Sequence, residues 1–428
     1  MELLIDGASH DGRGVARHDG KAVFVVGALP GERIVAKLTR KHRRYDEAIL
    51  QEVLEASPDR VPAPCPHFGT CGGCALQHLS ADAQLNMKAG TLKENLERIG
   101  NVKPKRWLEP LRGPSFGYRR KARLSVRYVL KKERVLVGFR EGDGRYVADL
   151  RECHVLVPEL GFKLEALGAL LNEMDGKADI PQIELAAGDN AIILVFRHYH
   201  EFSAADVARL LEFGRVHGFA MYSQIGGEDT VKPLSGPPIE LVTALGDGDL
   251  TMAFLPGDFV QVNQGLNARM IEHALKLLDL QPDESALDLF CGLGNFSLPM
   301  ARRAKSVIGV EGAANLVERA RYNAQRNQIN NVQFFAADLS LPLDQEPWFD
   351  PSCRKALIDP PRSGAESVCR MLCSSHINHL VYVSCHPASL ARDAGILVES
   401  GGFKLIAAGV MDMFPHTGHV ESIALFQR

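Results

Sequence analysis

Cys385 stands in the run Val381-Tyr-Val-Ser-Cys-His-Pro387, where an apolar strand gives way to a loop. A carboxylate, Glu421, follows His416-Thr-Gly-His-Val and leads into a second apolar run, Ser-Ile-Ala-Leu-Phe. A thiol whose anion attacks an electron-poor carbon and a carboxylate that removes a proton are two groups that covalent catalysis on a ring uses. A free thiol titrates near ~8.5, so little of it is anionic at neutral pH unless a neighbouring cation intervenes. Arg362 and His386 are the candidate cations. Most unpaired cysteines are small buried apolar residues, and Cys291, Cys353, Cys369 and Cys373 read that way.

Cys385 is set apart by a row of acids at strand ends. Asp288-Leu-Phe-Cys-Gly-Leu-Gly-Asn-Phe-Ser297 follows an apolar strand, and Gly292 and Gly294 let the backbone pass close to a ligand. Glu311 ends the next strand, 17 residues after Gly294, where an acid can hold ribose hydroxyls. Asp338 ends a third strand, within reach of an adenine, and Asp359-Pro-Pro-Arg362 ends a fourth. Each acid alone is an ordinary cap; in order at strand ends they describe a nucleoside site. The turn has neither a phosphate-loop lysine nor the third glycine of the dinucleotide fingerprint, which disfavours ATP and NAD.

A second group of cysteines, Cys65-x5-Cys71-x2-Cys74, has metal-ligand spacing. The chain has nine cysteines, an odd number, so a disulfide framework is not expected. His67, His78 and His154 are rival ligands, and the spacing itself does not separate zinc from iron–sulfur.

These residues need elements to position them. From about 256, strands and helices alternate: a helix over 265–279, strands Ala286-Leu-Asp-Leu-Phe290 and Ser306-Val-Ile-Gly-Val310, a helix near 313–327, then strands at 332–336, 355–359 and 379–384. The pattern predicts an α/β, Rossmann-like doubly wound sheet, whose ligand crevice lies beyond the carboxyl ends of its strands. Residues 1–58 carry short strand-like runs suited to a small β-barrel. The prolines of Ser57-Pro-Asp-Arg-Val-Pro-Ala-Pro64 mark a linker. Helical spacing runs from Ala81 to Ile99 with Ser80 as N-cap, and 115–255 alternates strands with helical stretches near 158–174 and 204–217. Three domains are expected, 1–58, 59–255 (α+β) and 256–428, since single cores rarely exceed roughly 250–300 residues.

Net charge is only −3, but it is unevenly spread. Between Lys103 and Arg134 stand 12 Lys and Arg against Glu109 and Glu133, with Trp107, Phe116, Tyr118 and Tyr128 interleaved. Basic and stacking residues together suit single-stranded or looped RNA, with Arg119, Arg120 and Lys121 central. Arg40-Lys-His-Arg-Arg44 is a second basic patch, offset by nearby acids. The longest apolar run, Ala191-Ile-Ile-Leu-Val-Phe196, is far short of the ~18 residues of a membrane span. The opening MELLIDGASH lacks a basic and then apolar leader, so export is not expected.

Taken together, these motifs resemble the RNA uracil-C5 methyltransferases. The DLFCGLGNFS turn, the DFVQVN segment at 258–263, the DPPR loop, the Ser-Cys-x-Pro loop and the terminal His-Val-Glu carry the likeness. It implies S-adenosylmethionine as methyl donor, bound by Gln261, Phe290, Asn295, Glu311, Asp338 and Asp359, with Cys385 as nucleophile and Glu421 as proton acceptor. The family usually has Asn after the nucleophile; here it is His386. Gly12-Arg-Gly-Val-Ala-Arg17 and the strands around it are similar to a TRAM domain, an OB-like RNA-binding barrel. Cys65, Cys71, Cys74 and Cys153 are similar to the [4Fe–4S] ligand set of the members acting on ribosomal RNA. Barrel and cysteines together point to 23S ribosomal RNA rather than tRNA as partner. The protein is expected to act as a monomer in the cytoplasm, without a membrane, its cluster serving a structural role.

Three rivals are weighed against this. Enzymes methylating adenine N6 or glutamine amides carry an aromatic residue where Arg362 stands and need no cysteine. A non-catalytic RNA-binding assembly factor would not need Cys385, Glu421 and the acids intact. A flavin- or folate-dependent donor would need a different nucleotide site. Methylation of a uridine in tRNA, or at another ribosomal position, remains the open alternative.

Overall fold

A computed structural model describes residues 1–428 apart from 10, 247, 342–345 and 347. Six strands between Glu2 and Glu55 form the first sheet and enclose their own core of Leu3, Ile5, Ala16, Val23, Val25, Ile34, Ala36 and Ala48. Gly7–Ala8 and Gly14–His18 add to the strands read from the sequence; they carry too few apolar residues to signal themselves. A side chain at Gly14 would sit 2.9 Å from the Ala28 carbonyl, so only glycine fits there. Buried Glu32 joins this sheet to the linker: it accepts the N–H groups of Leu29 (2.8 Å) and Ser57 (3.3 Å) and pairs with Arg60.

Helix α1 (Ala81–Arg98) is capped by the Ser80 hydroxyl, which accepts the Ala83 N–H at 3.3 Å. Its Leu85, Leu92 and Leu96 are buried in one core with Leu390, Ala391 and Ala394, so this helix packs on the C-terminal layer although it lies far away in sequence. The central sheet has six strands, among them Lys121–Val129 and Arg134–Gly138, with helices Leu164–Glu173 and Ala204–His217.

The C-terminal sheet positions the acids and Cys385. Its strands are β1 (Ser285–Leu289), β2 (Ser306–Glu311), β3 (Val332–Ala336), β4 (Lys355–Ile358), β5 (His379–Ser384), β6 (Lys404–Met411) and β7 (Glu421–Gln427). Their order is β3-β2-β1-β4-β5-β7-β6, with Arg106–Trp107 beside β6 at the edge. β1 to β5 pair in parallel, and β7 lies antiparallel between β5 and β6. Both faces are covered, which is why β4 and β5 read as continuous apolar runs. Helix α2 (Gln264–Leu278) packs on this sheet, and α3 (Pro387–Glu399) follows Cys385.

Candidate active site and cysteine cavity

Because β7 runs against β5, its first residue lies at the edge where β5 ends. Ser384 pairs with Ser422, so Cys385, one residue on, and Glu421, one residue back, come to the same place on adjacent strands. Asp359 lies at the end of neighbouring β4, and its N–H donates to Leu289 of β1 at 3.3 Å.

The turn after β1 is built to hold an unusual backbone. Phe290, Gly292 and Gly294 have φ of 63, 54 and 95°; for a bulky residue such as Phe290 this is strain of the kind kept at ligand sites. Glu311 secures the turn, accepting the N–H groups of Gly292 (3.1 Å) and Ala313 (3.2 Å). Asn295 exchanges two hydrogen bonds with Asn267 of α2, at 2.8 and 3.1 Å. Gln261 lies in a segment fixed at both ends. Asp258 pairs with Arg319 at 3.0 Å, and Asn263 caps α2 by accepting the Leu266 N–H at 3.2 Å. Between them Phe259 is 73% exposed, an aromatic face the sequence reading passes over.

Asp288 is a second residue passed over, although an acid inside an apolar strand is a signal. It is fully buried and accepts the Ser297 hydroxyl, while its other oxygen finds no partner among the described residues. Burial, and then the fields of Asp359 and Glu311, push its carboxyl up to about 7. Burial likewise pushes Asp359 up to about 7. Asp338 is exposed, and its hydrogen bonds, from the Ser340 hydroxyl (2.6 Å) and N–H (3.0 Å), stay within its own loop.

The thiol of Cys385 is pushed up to about 11 by burial and by the carboxylates of Glu421 and Asp359, with Arg362 opposing. The expectation that a cation lowers it thus holds in direction for Arg362, but is outweighed. His386 does a different job: its ring Nδ1 accepts the Ser389 N–H at 3.4 Å and caps α3. Asn is among the strongest helix caps, so the substitution keeps the function of the position. Glu421 is 4% exposed. Burial and then Asp359 push its carboxyl up to about 8, with Lys88 of α1 pulling it down. The Asp359–Arg362 loop is held from behind by buried Asp393, which accepts the Ala365 N–H and the Tyr382 hydroxyl, each at 2.7 Å.

Cys65, Cys71, Cys74 and Cys153 all line one cavity of about 250 Å³. Among the described residues no group of three or more His, Cys, Asp or Glu is arranged to hold a metal ion. His67 and His154 line the cavity too, but engage the Arg151 N–H (3.1 Å) and Glu152 (2.8 Å). Burial is the main influence raising the thiols, to about 11 for Cys71 and about 12 for Cys74, and their neighbours' charges add to it. Phe414, Thr417 and His419, from the loop that leads into Glu421, form part of the cavity wall.

The basic segment is more committed internally than its composition suggests. Arg120 pairs with Asp189, Lys121 donates to the Asp258 carbonyl, and Arg119 lines the cysteine cavity. Phe116 stacks on His416 (centroids 4.4 Å apart), and buried Tyr118 donates to the Pro415 carbonyl at 3.2 Å. Exposed basic residues lie beyond them at Arg123, Arg127, Lys131 and Lys132, and at Arg40, Lys41, Arg43 and Arg44.

Residues 239–428 match the family model "tRNA (Uracil-5-)-methyltransferase", and residues 1–50 match the TRAM domain. The fold and these matches define the class, the RNA uracil-C5 methyltransferases. The 23S rRNA (uracil(1939)-C(5))-methyltransferase RlmD of Stenotrophomonas maltophilia (strain K279a) is 56% identical over 98% of this chain and 95% of its own. The protein of that name from Xanthomonas campestris pv. campestris (strain 8004) is 55% identical, covering 100% and 97%. The chain therefore belongs to the RlmD family of uracil-C5 methyltransferases. Among solved structures, the tRNA (uracil-54, C5)-methyltransferase of Pyrococcus abyssi, crystallised with S-adenosyl-L-homocysteine, superposes with a TM-score of 0.75 at 23% identity over 100% of both chains. That likeness extends over the whole fold. No helix is long and apolar enough to cross a membrane among the described residues.

Proposed function

We propose that this protein transfers a methyl group from S-adenosylmethionine to carbon 5 of a uridine in 23S ribosomal RNA, with Cys385 as nucleophile and Glu421 as base. The observation that carries this is the strand register bringing Cys385 and Glu421 together at the edge where Asp288, Glu311 and Asp359 converge. Uracil carbon 5 is a weak nucleophile. The Cys385 thiolate adds to carbon 6, and the electron pair of the 5,6 double bond moves towards the carbon-4 oxygen. Carbon 5 takes the electrophilic methyl group of S-adenosylmethionine, the sulfur–methyl bond breaking with its electron pair left on sulfur, so that S-adenosylhomocysteine departs. Glu421 then accepts the carbon-5 proton, the double bond re-forms, and the bond to Cys385 breaks. The uridine must be flipped out or unpaired, at a cost of a few kcal/mol.

Glu311, with the turn it secures, and Gln261, Phe290, Asn295, Asp338 and Asp359 are assigned to the donor. The unpartnered oxygen of Asp288 adds an acceptor that a bound ligand would satisfy. The four cysteines supply the four thiolates that an iron–sulfur cluster takes as its usual ligand set. They share a cavity of about 250 Å³, and buried thiols that resist ionisation become thiolates beside a positive metal group. We assign them the cluster, in a structural role.

The test uses 23S ribosomal RNA transcribed with 5-fluorouridine. Fluorine does not leave as a proton does, so a covalent protein–RNA adduct should accumulate with S-adenosylmethionine. No adduct, or one that persists in Cys385→Ala, overturns the mechanism.

A further inference from the structure

Lys88 is a feature the reaction as described does not use. It lies in α1, more than 320 residues before the strand carrying Glu421, and is 0% exposed. Lysine is almost never fully buried unless paired. Its ammonium meets the Asp412 carboxylate at 2.7 Å and the Phe414 carbonyl at 2.9 Å. Both partners belong to the loop between β6 and β7, which ends at Glu421. Holding that loop alone does not call for a charge: an apolar side chain opposite a neutral residue packs as well or better, because a buried ion pair seldom outweighs its desolvation. A buried cation also acts on any second anion nearby, and Glu421 is one.

We propose that Lys88 is a positioning residue that favours the charged form of Glu421 against its burial, and so widens the pH range in which Glu421 can take the carbon-5 proton. This rests on the reading of Glu421 as the base. The charged and titratable groups around Glu421 come from four elements. α1 supplies Lys88; the loop after β4 supplies Asp359 and Arg362; Cys385 follows β5; Asp412, His416 and His419 lie between β6 and β7. Asp359 disfavours the charged form of Glu421, as burial does, while Lys88 favours it. Conversely, Lys88 is brought towards its neutral form by burial and is held charged by Asp412 and Glu421. The arrangement is a cation delivered by a remote helix to offset the burial of the base.

The test is the double variant Lys88→Met with Asp412→Asn, which removes the pair without leaving a buried charge alone. An opposite charge close by shifts a carboxyl by about 1–3 units; losing the Asp412 anion as well offsets part of that, so the acidic limb of the turnover profile should move up by about one pH unit. At pH 6.5 turnover should then fall roughly tenfold. Adduct with ordinary uridine RNA should build up, because it forms but its proton is not removed. KM for RNA should hold, and Lys88→Arg should restore the original limb. A loss of turnover that is the same at every pH, with no adduct, makes Lys88 a packing residue and overturns the proposal. So does an unchanged pH profile. Glu421→Gln, run alongside, separates the two readings. If that variant does not accumulate adduct, Glu421 is not the base; if it does and the double variant does not, only the assignment of Lys88 falls.

Discussion

Glu421→Gln should make Cys385 more reactive while it abolishes turnover. The thiol stands near 11 in the free protein, and the Glu421 carboxylate is the largest influence after burial. At pH 9 a thiol of that affinity is about 1% anionic, against most of an ordinary cysteine. Glu421 itself, pushed up to about 8, is mostly charged at pH 9 and mostly neutral below pH 7. Replacing it with Gln removes a neighbouring like charge, worth about one unit or more. The thiolate fraction at pH 9 should rise about tenfold, and the rate of alkylation by iodoacetamide with it. Below pH 7, where Glu421 has already taken its proton, the two proteins should react alike. The assay is alkylation from pH 6.5 to 10, read at Cys385 by peptide mass so that the other eight cysteines do not confuse it. Equal rates at pH 9, or a slower variant, would refute the idea that the two groups share one electrostatic site.

Anaerobically purified protein should be brown and carry about four iron and four sulfide per chain, as a [4Fe–4S] cluster requires, and Cys153→Ser should lower both. Colourless protein with one zinc would remove the cluster. His386→Asn should leave both turnover and the denaturation midpoint unchanged, whereas His386→Ala should lose about 1 kcal/mol of stability with the helix cap. If Asn destabilises as much as Ala, the ring is doing something other than capping.

The sheet was legible because its inner strands are buried on both faces and read as apolar runs between helices. The strands at 332–336 and 379–384 and the helix Ala204–His217 fall where the pattern puts them. Glu311, Asp338 and Asp359 were legible for the same reason, as polar residues closing apolar runs, whereas Asp288 inside its strand was not. The antiparallel insertion of β7 between β5 and β6 was not legible, since no local pattern states which strand neighbours which. Nor were contacts between remote segments: composition marks Tyr118 and Phe116 as aromatic among cations, but only packing reveals that they serve Pro415 and His416.

The loop between β6 and β7 gathers most of what the sequence hid. Lys88 grips it at Asp412 and Phe414; Tyr118 binds Pro415; and the His416 carbonyl accepts the N–H groups of Ala75 (2.8 Å) and Leu76 (2.9 Å), just beyond Cys74. Gln84 holds the same residue from α1, accepting the His416 N–H at 2.9 Å. His416 has a positive φ of 66°, the left-handed region in which His, Asn and Asp are the enriched non-glycine residues. Phe414, Thr417 and His419 then wall the cysteine cavity. Three separate stretches of chain therefore determine where β7 begins, and with it where Glu421 stands relative to Cys385. The four thiols line one cavity with Phe414, Thr417 and His419, so the cysteine loop adjoins the chain that leads into Glu421.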